Sequence, residues 1–247
     1  MKPILEVCCG DIESVLAANA GGAGRIELCS ALGEGGVTPS AGLIMKAVEL
    51  SDIPVNVLIR PRGGDFLYTD DEVDIMIDDI KTCRSLGVNG VVIGALTADG
   101  RIDLRATARM IEAAGPLSVT FHRAFDLCRD ATEGLDELIR LRCARVLTSG
   151  QRQTALEGID TLRQLRTQAA GRIVILAGAG VNVDSARQII ATGAADEVHA
   201  SCRKQVESKM EWRRPGVSMG TPGTDEYARM VTSPEAVSAI VNVISHL

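Results

Sequence analysis

The sequence of 247 residues is poor in aromatic side chains, has no excess of positive charge and contains no long apolar run. Aromatic residues make up 2% of the chain, and 32 acidic against 26 basic residues give a formal net charge of −6. Nucleic-acid binding relies on a basic surface for phosphates and often on aromatic platforms for bases, so we expect no nucleic-acid partner. No stretch approaches the roughly 20 apolar residues of a membrane span and no signal peptide opens the sequence, which predicts no membrane partner and a cytoplasmic location.

The cysteines are odd in number and lack the Cys-x-x-Cys spacing that is typical of zinc ribbons. Neither a disulfide framework nor a structural zinc site is therefore indicated. We expect reduced thiols at all seven positions, which are Cys8, Cys9, Cys29, Cys83, Cys128, Cys143 and Cys202.

Eight short apolar or β-branched runs recur along the chain, and each is followed by a segment of helical periodicity. The runs span residues 4–9, 25–29, 55–60, 90–94, 117–122, 144–149, 173–177 and 197–200. Helix starts carry capping residues, as at Thr69 with Glu72, and a glycine such as Gly87 closes a helix. An open doubly wound sheet uses the same alternation, but eight near-equal units without a long break favour closure. We predict an α/β fold, a single (β/α)8 TIM barrel that forms one domain over residues 1–247.

The C-terminal part of the chain departs from this alternation. Residues 203–232 are rich in glycine, proline and charge, which predicts an extended irregular segment. Ser233 and Pro234 then open a terminal helix over residues 233–246. Because long connections inside a compact domain are usually functional, we expect the segment to cover the barrel mouth or to reach a neighbouring subunit.

Six sequence strings, spread over most of the chain, together resemble the CutC family of copper homeostasis proteins. The most specific are Arg-Pro-Arg-Gly-Gly-Asp at 60–65 and Phe-His-Arg-Ala-Phe-Asp at 121–126, and the others lie at 5–8, 22–29, 36–40 and 147–150. The resemblance implies a cytoplasmic TIM barrel that forms a homodimer and is linked to copper tolerance. It also implies that copper(I) binds to two cysteines, which match Cys8 and Cys29 in this sequence.

Ionisable residues lie on the strand faces that we expect to point into the barrel. Side chains alternate along a strand, so Glu6 shares a face with Cys8, and Glu27 shares a face with Cys29. His122 and His199 come at the ends of two other strands, where TIM barrels place their acids and bases. Glu6, Glu27, His122 and His199 are therefore candidate catalytic residues. The alternative is that the glutamates pair with Arg25 or Arg60 in a buried ion network that has no chemistry.

Two further groups of residues are candidates for binding. Cys8 and Cys29 on adjacent strands suit a copper(I) ion, although buried cysteine also packs as a small apolar residue. Loops after several strands offer guanidinium groups and glycine-exposed amides for an anion, although such glycines also simply form tight turns. The candidate substrate-binding residues are Arg60, Arg62, Arg123, Ser149, Gly150, Gly178 and Gly180.

These residues leave two functions open. A copper-handling protein would hold copper(I) at the cysteines, but this function leaves the arginines and histidines without a role. An enzyme would grip a small anionic metabolite, either phosphorylated or carboxylated, and would move protons with the glutamates and His122. The sequence names neither a substrate nor a reaction.

Overall fold

The computed structural model describes residues 2–214, 216–217, 219 and 225–247. Eight parallel strands close into a barrel in which each strand pairs with its neighbour in sequence and the last pairs with the first. This confirms the predicted TIM-barrel fold. The barrel strands are β1 (Leu5–Cys9), β2 (Arg25–Leu28), β3 (Val55–Leu58), β4 (Gly90–Ile93), β5 (Ser118–Phe121), β6 (Arg145–Thr148), β7 (Val174–Ala177) and β8 (Glu197–Ala200).

Seven helices follow barrel strands within the described residues, and an eighth ends the chain. They are α1 (Ile12–Ala20), α2 (Ala41–Leu50), α3 (Asp70–Ser85), α4 (Leu104–Ala114), α5 (Ala131–Arg140), α6 (Ile159–Ala169), α7 (Val183–Ala191) and α8 (Pro234–Ser245). The predicted capping box is present, because Thr69 accepts from the Glu72 amide at 3.2 Å and Glu72 accepts from the Thr69 amide at 2.8 Å. The terminal helix is also present as α8, and the Ser233 side chain caps it.

The two faces of the barrel strands bury different kinds of side chain. Outward residues such as Leu5, Val7 and Cys9 pack in the apolar layer between the strands and the helices. Inward residues include charged and polar groups, among them Glu6 and Glu27, and both are almost fully buried. The principal apolar core therefore surrounds the barrel, and the barrel interior holds charged and polar groups beside a small apolar cluster.

The structure corrects the prediction that the C-terminal segment is irregular. Residues 203–232 are not irregular throughout, because β9 (Arg203–Glu207) and β10 (Ala228–Thr232) pair as an antiparallel ribbon. The two strands are polar and mostly exposed, and their pairing rests on backbone hydrogen bonds between distant parts of the chain. Their sequences therefore carry little of the hydrophobic pattern from which strands are predicted. The Thr232 amide ties the ribbon to α1 by donating to Ser14 Oγ at 3.1 Å. Residues 215, 218 and 220–224 of this segment lie outside the described residues. Among the helices that the structure describes, none is long and apolar enough to span a bilayer.

Candidate functional site

A buried ion network fills the barrel interior below the mouth, which we define as the carboxyl ends of β1 to β8. Arg25 lies between two carboxylates: its Nε donates to Glu6, and its Nη2 lies 2.5 Å from Glu197 Oε2. Arg145 adds a second guanidinium 3.6 Å from Glu197 Oε2. The pairing of Glu6 with Arg25 that the sequence left open is therefore present, and Arg60 takes no part in it. The network anchors Glu6 at a fixed position beneath the mouth.

His199 connects this network to the mouth. Its Nδ1 lies 2.9 Å from Glu6 Oε1, and its Nε2 lies 3.8 Å from Glu27 Oε2. Burial alone would lower the pKa of the imidazole, but Glu27, Cys8 and Glu6 together raise it well above 6.5. For Glu6, burial is outweighed by Arg25 and His199, which lower the carboxyl pKa from 4.5 to about 2. The charges of Glu27 and Glu6 therefore favour the imidazolium form of His199.

Glu27 and Cys8 complete a compact cluster with His199. The ligand atoms of the three residues all lie within 4.8 Å of one another. Burial raises the pKa of Glu27 above 4.5, although the charge of His199 opposes this shift. A hydrogen bond with Cys29, burial and the charge of Glu27 raise the pKa of the Cys8 thiol well above 9.0. The cluster therefore combines a thiol, an imidazole and a carboxyl group whose pKa values are all raised.

The two cysteines that the sequence singled out are in contact. Cys8 Sγ lies 3.5 Å from Cys29 Sγ, and both side chains pack with Leu58 and Val92 inside the barrel. Cys29 is fully buried, whereas Cys8 reaches the wall of the mouth. The sulfur pair is therefore buried at Cys29 and reachable from the mouth at Cys8.

A cavity of about 280 Å³ occupies the mouth above these groups. This volume is at the lower end of the range for small-molecule sites. Polar and apolar side chains alternate around its wall. The lining residues are Cys8, Glu27, Leu32, Gly35, Leu58, Arg60, Phe66, His122, Arg123, Leu147, Ala179, Gly180, Val181, His199, Ala200 and Ser201.

Arg60 brings a buried positive charge to the cavity without a counter-ion. Its guanidinium donates to the backbone carbonyls of Glu34 at 3.1 Å, Gly36 at 2.9 Å and Gly64 at 2.8 Å. Its carbon Cζ lies 5.0 Å from the centroid of the Phe66 ring. The Nε–H group is buried and has no hydrogen-bond partner among the described residues. Carbonyl groups orient the guanidinium but do not neutralise it.

His122 is a neutral imidazole whose tautomer is fixed by the backbone. Its Nδ1 accepts from the Ala124 amide at 3.1 Å, so the ring proton lies on Nε2. Burial and the charge of Arg60 lower the pKa of this histidine from 6.5 to about 3. Nε2 is buried and finds no hydrogen-bond partner in the described part of the chain. Gly94 makes room for the ring, because a Cβ there would lie 2.3 Å from His122 Cε1.

Arg123, a second cation at the cavity, is fixed by the loop after β6. Its Nε lies 2.7 Å from Asp126 Oδ2, and its Nη2 donates to Ser149 Oγ at 3.3 Å. Asp126 also accepts from Thr148 Oγ1 at 2.5 Å and from the Ser149 amide at 2.9 Å. The Asp126 carboxylate thus holds the loop after β6 in place, and this loop contacts Arg123.

Seven of the predicted site residues line the cavity: Cys8, Glu27, Arg60, His122, Arg123, Gly180 and His199. Arg62 is not among the residues that line the cavity: it is half-exposed and pairs with Glu72 at 2.5 Å. Glu6 lies below the cavity and Cys29 lies behind Cys8. Ser149 and Gly150 build the loop after β6, and Gly178 leaves space for Leu147 and His199.

Sequence reasoning missed four residues on which this geometry depends. Arg145 shares the charge of Glu197, Gly94 accommodates His122, Phe66 faces Arg60, and Asp126 holds Arg123. Phe66 and Asp126 stand inside or next to the two most specific sequence strings, which was a signal for them. No local pattern marks Gly94 or Arg145.

A closed eight-stranded parallel barrel with ionisable groups and a cavity at its carboxyl ends defines a TIM barrel with a cavity at its mouth. The chain belongs to the CutC family, whose model matches residues 3–204. The CutC family protein of Chromobacterium violaceum is 49% identical over 240 residues, covering 97% of this chain and 97% of that protein. The relative in Bacteroides thetaiotaomicron is also 49% identical, over 241 residues with the same coverage of both chains.

A solved relative supports both fold and family. The CutC protein of Streptococcus agalactiae, whose name refers to copper homeostasis, is 32% identical. It covers 81% of this chain and 99% of its own length, with a TM-score of 0.77. The resemblance drawn from the sequence strings is thereby confirmed. The cytoplasmic location, the homodimer and the absence of a nucleic-acid partner stay predictions.

Proposed function

We propose that the mouth binds a small anionic metabolite, phosphorylated or carboxylated, and transfers a proton to or from it. The observation that carries this proposal is Arg60, a buried guanidinium bonded to three carbonyls and to no carboxylate of the described residues. A buried charge without a partner costs several kcal/mol, as an order of magnitude, so folded proteins pair such charges. An anion in the cavity supplies the missing partner.

Other groups on the same wall suit an anion. Arg123 also lines the cavity, where its guanidinium is paired with Asp126. Ala179 and Gly180 have positive φ angles of 83° and 66° just before α7, and the amides of 179–181 donate no hydrogen bond to a described residue. Free amides at a helix N-terminus favour negative groups. Both kinds of donor are available to one ligand.

Proton transfer is supported by the cluster of Cys8, Glu27 and His199. A carboxyl group whose pKa is raised by burial accepts and returns protons nearer neutral pH than an ordinary glutamate. Glu6 holds His199 in one orientation, as in the dyads that use a carboxylate to position an imidazole. The cavity therefore joins an anion-binding wall to a proton-exchanging one.

Calorimetric titration of three probes tests this function: inorganic phosphate, pyruvate and dihydroxyacetone phosphate. We expect at least one to bind the native protein, and Arg60→Met to weaken its binding about tenfold to a hundredfold. Arg62→Met is the matched control, because Arg62 comes from the same loop but pairs with Glu72, and its affinity should stay within twofold. Arg60→Lys retains the charge and separates its loss from loss of the carbonyl contacts. Binding of no probe, or equal affinities in native protein and Arg60→Met, would contradict the proposal.

Copper(I) is a second candidate ligand, favoured by the 3.5 Å separation of the Cys8 and Cys29 sulfurs. Soft sulfur ligands select copper(I), and Glu27 places negative charge beside the pair. Because the Cys8 pKa lies well above 9.0, binding must release protons, so copper affinity should increase with pH.

An anaerobic competition titration against a high-affinity copper(I) chelator tests this candidate. Native protein should bind one ion, and the Cys8→Ser/Cys29→Ser double variant should bind none. Cys83→Ser/Cys143→Ser is the control, because these two cysteines are buried outside the mouth. Equal binding by the two double variants would eliminate the Cys8 and Cys29 site.

A further inference from the structure

We infer that residues 31–36, in the loop after β2, form a hinged cover over Cys29 that Arg60 holds closed, and that one ligand reaches both sulfurs of the pair only when this cover opens. Cys8 lines the cavity, whereas Cys29 is fully buried behind it. Access to the sulfur pair is thereby separate from the proposed anion binding. Residues 31–36 are called the cover loop below.

The cover loop lies directly on the sulfur pair. A Cβ at Gly36 would lie 3.6 Å from Cys29 Cβ and 3.9 Å from Cys29 Sγ, so the backbone of the loop passes close to this side chain. Leu32 packs against the apolar cluster that contains both cysteines, and it also lines the cavity. Glycine at position 36 permits the close approach, since a Cβ there would lie 2.8 Å from Leu58 Cδ2. The loop therefore covers Cys29 on this side.

The backbone of the cover loop is bent at both ends into a conformation that residues with side chains disfavour. Ala31 has φ 51° and ψ 49°, and Gly35 and Gly36 have φ angles of 85° and 88°. Left-handed values cost an alanine free energy, so they persist where surrounding contacts impose them. Ser30 and Val37 pair just outside the loop, with N–O distances of 3.0 and 2.8 Å. The loop can therefore move as one unit on a fixed base.

Arg60 provides the contact that holds the cover loop closed. Its Nη1 donates to the carbonyls of Glu34 at 3.1 Å and Gly36 at 2.9 Å, which both belong to the loop. Its backbone is fixed to the base of the loop, because the Arg60 amide donates to Thr38 Oγ1 and the Thr38 amide donates to the Arg60 carbonyl, both at 2.9 Å. Opening of the loop breaks the two bonds to Nη1 and leaves the base in place. Backbone strain at the hinges thus opposes two charge-assisted hydrogen bonds.

The cover loop gives the sulfur pair a closed state and an open state. In the closed state a ligand in the cavity meets Cys8, and Cys29 stays behind the loop. A ligand that needs both sulfurs therefore binds no faster than the loop opens, and loop motions of this kind take about microseconds to milliseconds. Loss of a hinge glycine or of the Arg60 side chain should favour the open state.

Alkylation by iodoacetamide, a small uncharged reagent, measures this opening without any metal or anionic probe. The labelled fraction of each cysteine is followed over time by mass spectrometry at one fixed pH. Gly35→Ala should speed labelling of Cys29 at least about fivefold, because φ is 85° and a Cβ there would lie 3.1 Å from Arg60 Nη1. Gly33→Ala is the matched control in the same loop, since a Cβ there would meet no described residue within 4 Å. Its rate should stay within about twofold of native protein.

Arg60→Met, which removes both bonds to the cover loop, should also speed labelling of Cys29 at least about fivefold. Arg62→Met is its control, because Arg62 follows β3 as Arg60 does but pairs with Glu72, and its rate should stay within about twofold of native protein. Cys128 reports on the whole fold, because it is buried and does not line the cavity, so its labelling should be the same in all variants.

Two results would overturn the cover. One is equal labelling of Cys29 in Gly35→Ala and Gly33→Ala, or in Arg60→Met and Arg62→Met, because neither the hinge nor the latch would then control access. The other is labelling of Cys128 that rises in step with Cys29 in both Gly35→Ala and Arg60→Met, because the whole fold would then open instead of the loop. Either result leaves the proposed anion binding intact, since no anionic probe takes part.

Discussion

Replacement of Arg25 by methionine should destabilise the barrel far more than loss of a surface arginine. Arg25 bridges Glu6 and Glu197, and the three side chains are 6%, 1% and 6% exposed. Methionine has a similar volume, so the packing is largely conserved while two buried carboxylates lose their shared cation. Removal of one partner of a buried pair costs about 3–5 kcal/mol. We expect the free energy of unfolding of Arg25→Met at pH 7 to fall by about this amount.

The difference in free energy of unfolding between native protein and Arg25→Met should depend on pH, and this dependence tests the ion network directly. The Glu6 pKa of about 2 in the folded protein lies below its ordinary value of 4.5, so the ionised carboxylate contributes stability above pH 4.5. That contribution is lost as the pH falls through 4.5 towards 2, and native protein should lose roughly 1 kcal/mol by pH 4. In Arg25→Met the guanidinium no longer offsets the effect of burial on Glu6, so the pKa of Glu6 rises. The variant therefore does not lose this stability as the pH falls to 4. The difference in free energy of unfolding between native protein and Arg25→Met should therefore become smaller from pH 7 to pH 4.

Urea unfolding at pH 7, 5.5 and 4, followed by circular dichroism, measures both effects. Arg109→Met is the control, because Arg109 pairs with Asp74 on the surface, with side chains 36% and 62% exposed. Such pairs are worth about 0–1 kcal/mol. A loss in Arg25→Met no larger than in Arg109→Met, or a gap that stays constant between pH 7 and pH 4, would refute the ion-network argument.

Two other predictions concern groups at the mouth. Gly94→Ala places a methyl group 2.3 Å from His122 Cε1, so we expect a loss of about 1–3 kcal/mol of stability and at least tenfold weaker probe binding by calorimetry. Gly42→Ala in α2, where a Cβ meets nothing closer than 4.0 Å, should retain probe binding and show no stability loss, and similar losses in both variants would contradict this. The raised pKa of His199 should contribute stability that is fully present below pH 6.5 and lost as the pH rises through the folded value. Native protein should therefore lose more stability than His199→Gln in urea titrations from pH 7 upward, whereas parallel curves would show that the imidazolium is not stabilised.

The strands of the barrel were predictable because their sequences keep a simple pattern. Each observed barrel strand lies within the run of apolar or β-branched residues that predicts it, and the ends differ by at most two residues. Period-two alternation also places Glu6 and Cys8 on the inward face, as the structure shows. The ribbon of β9 and β10 could not be predicted in this way, because its exposed polar strands are specified by pairing across more than twenty residues.

The contents of the mouth were predictable, but the contacts within it were not. Alternation assigns a side chain to a face, yet Glu6 and His199 are 193 positions apart, and only closure of β1 against β8 makes them neighbours. The role of Gly94 depends on the size of the His122 ring just after β5, which no pattern around residue 94 records. The ion pair of Arg62 with Glu72 could not be predicted either, because it joins the loop after β3 to the first turn of α3.

The proposed copper(I) site and the proposed proton transfer meet at the cluster of Cys8, Glu27 and His199, so these two functions compete. Cys8, Glu27 and His199 have their ligand atoms within 4.8 Å of one another. A cation on Cys8 would stabilise the ionised form of Glu27, lower its pKa and weaken it as a base, because a neighbouring positive charge favours the carboxylate. Arg60 lies on another part of the wall and keeps its uncompensated charge. Copper-loaded protein should therefore still bind an anionic probe in calorimetric titration. The proposed copper binding and the proposed proton transfer are thus compatible as alternative states of one cluster, occupied either by a metal ion or by an exchangeable proton.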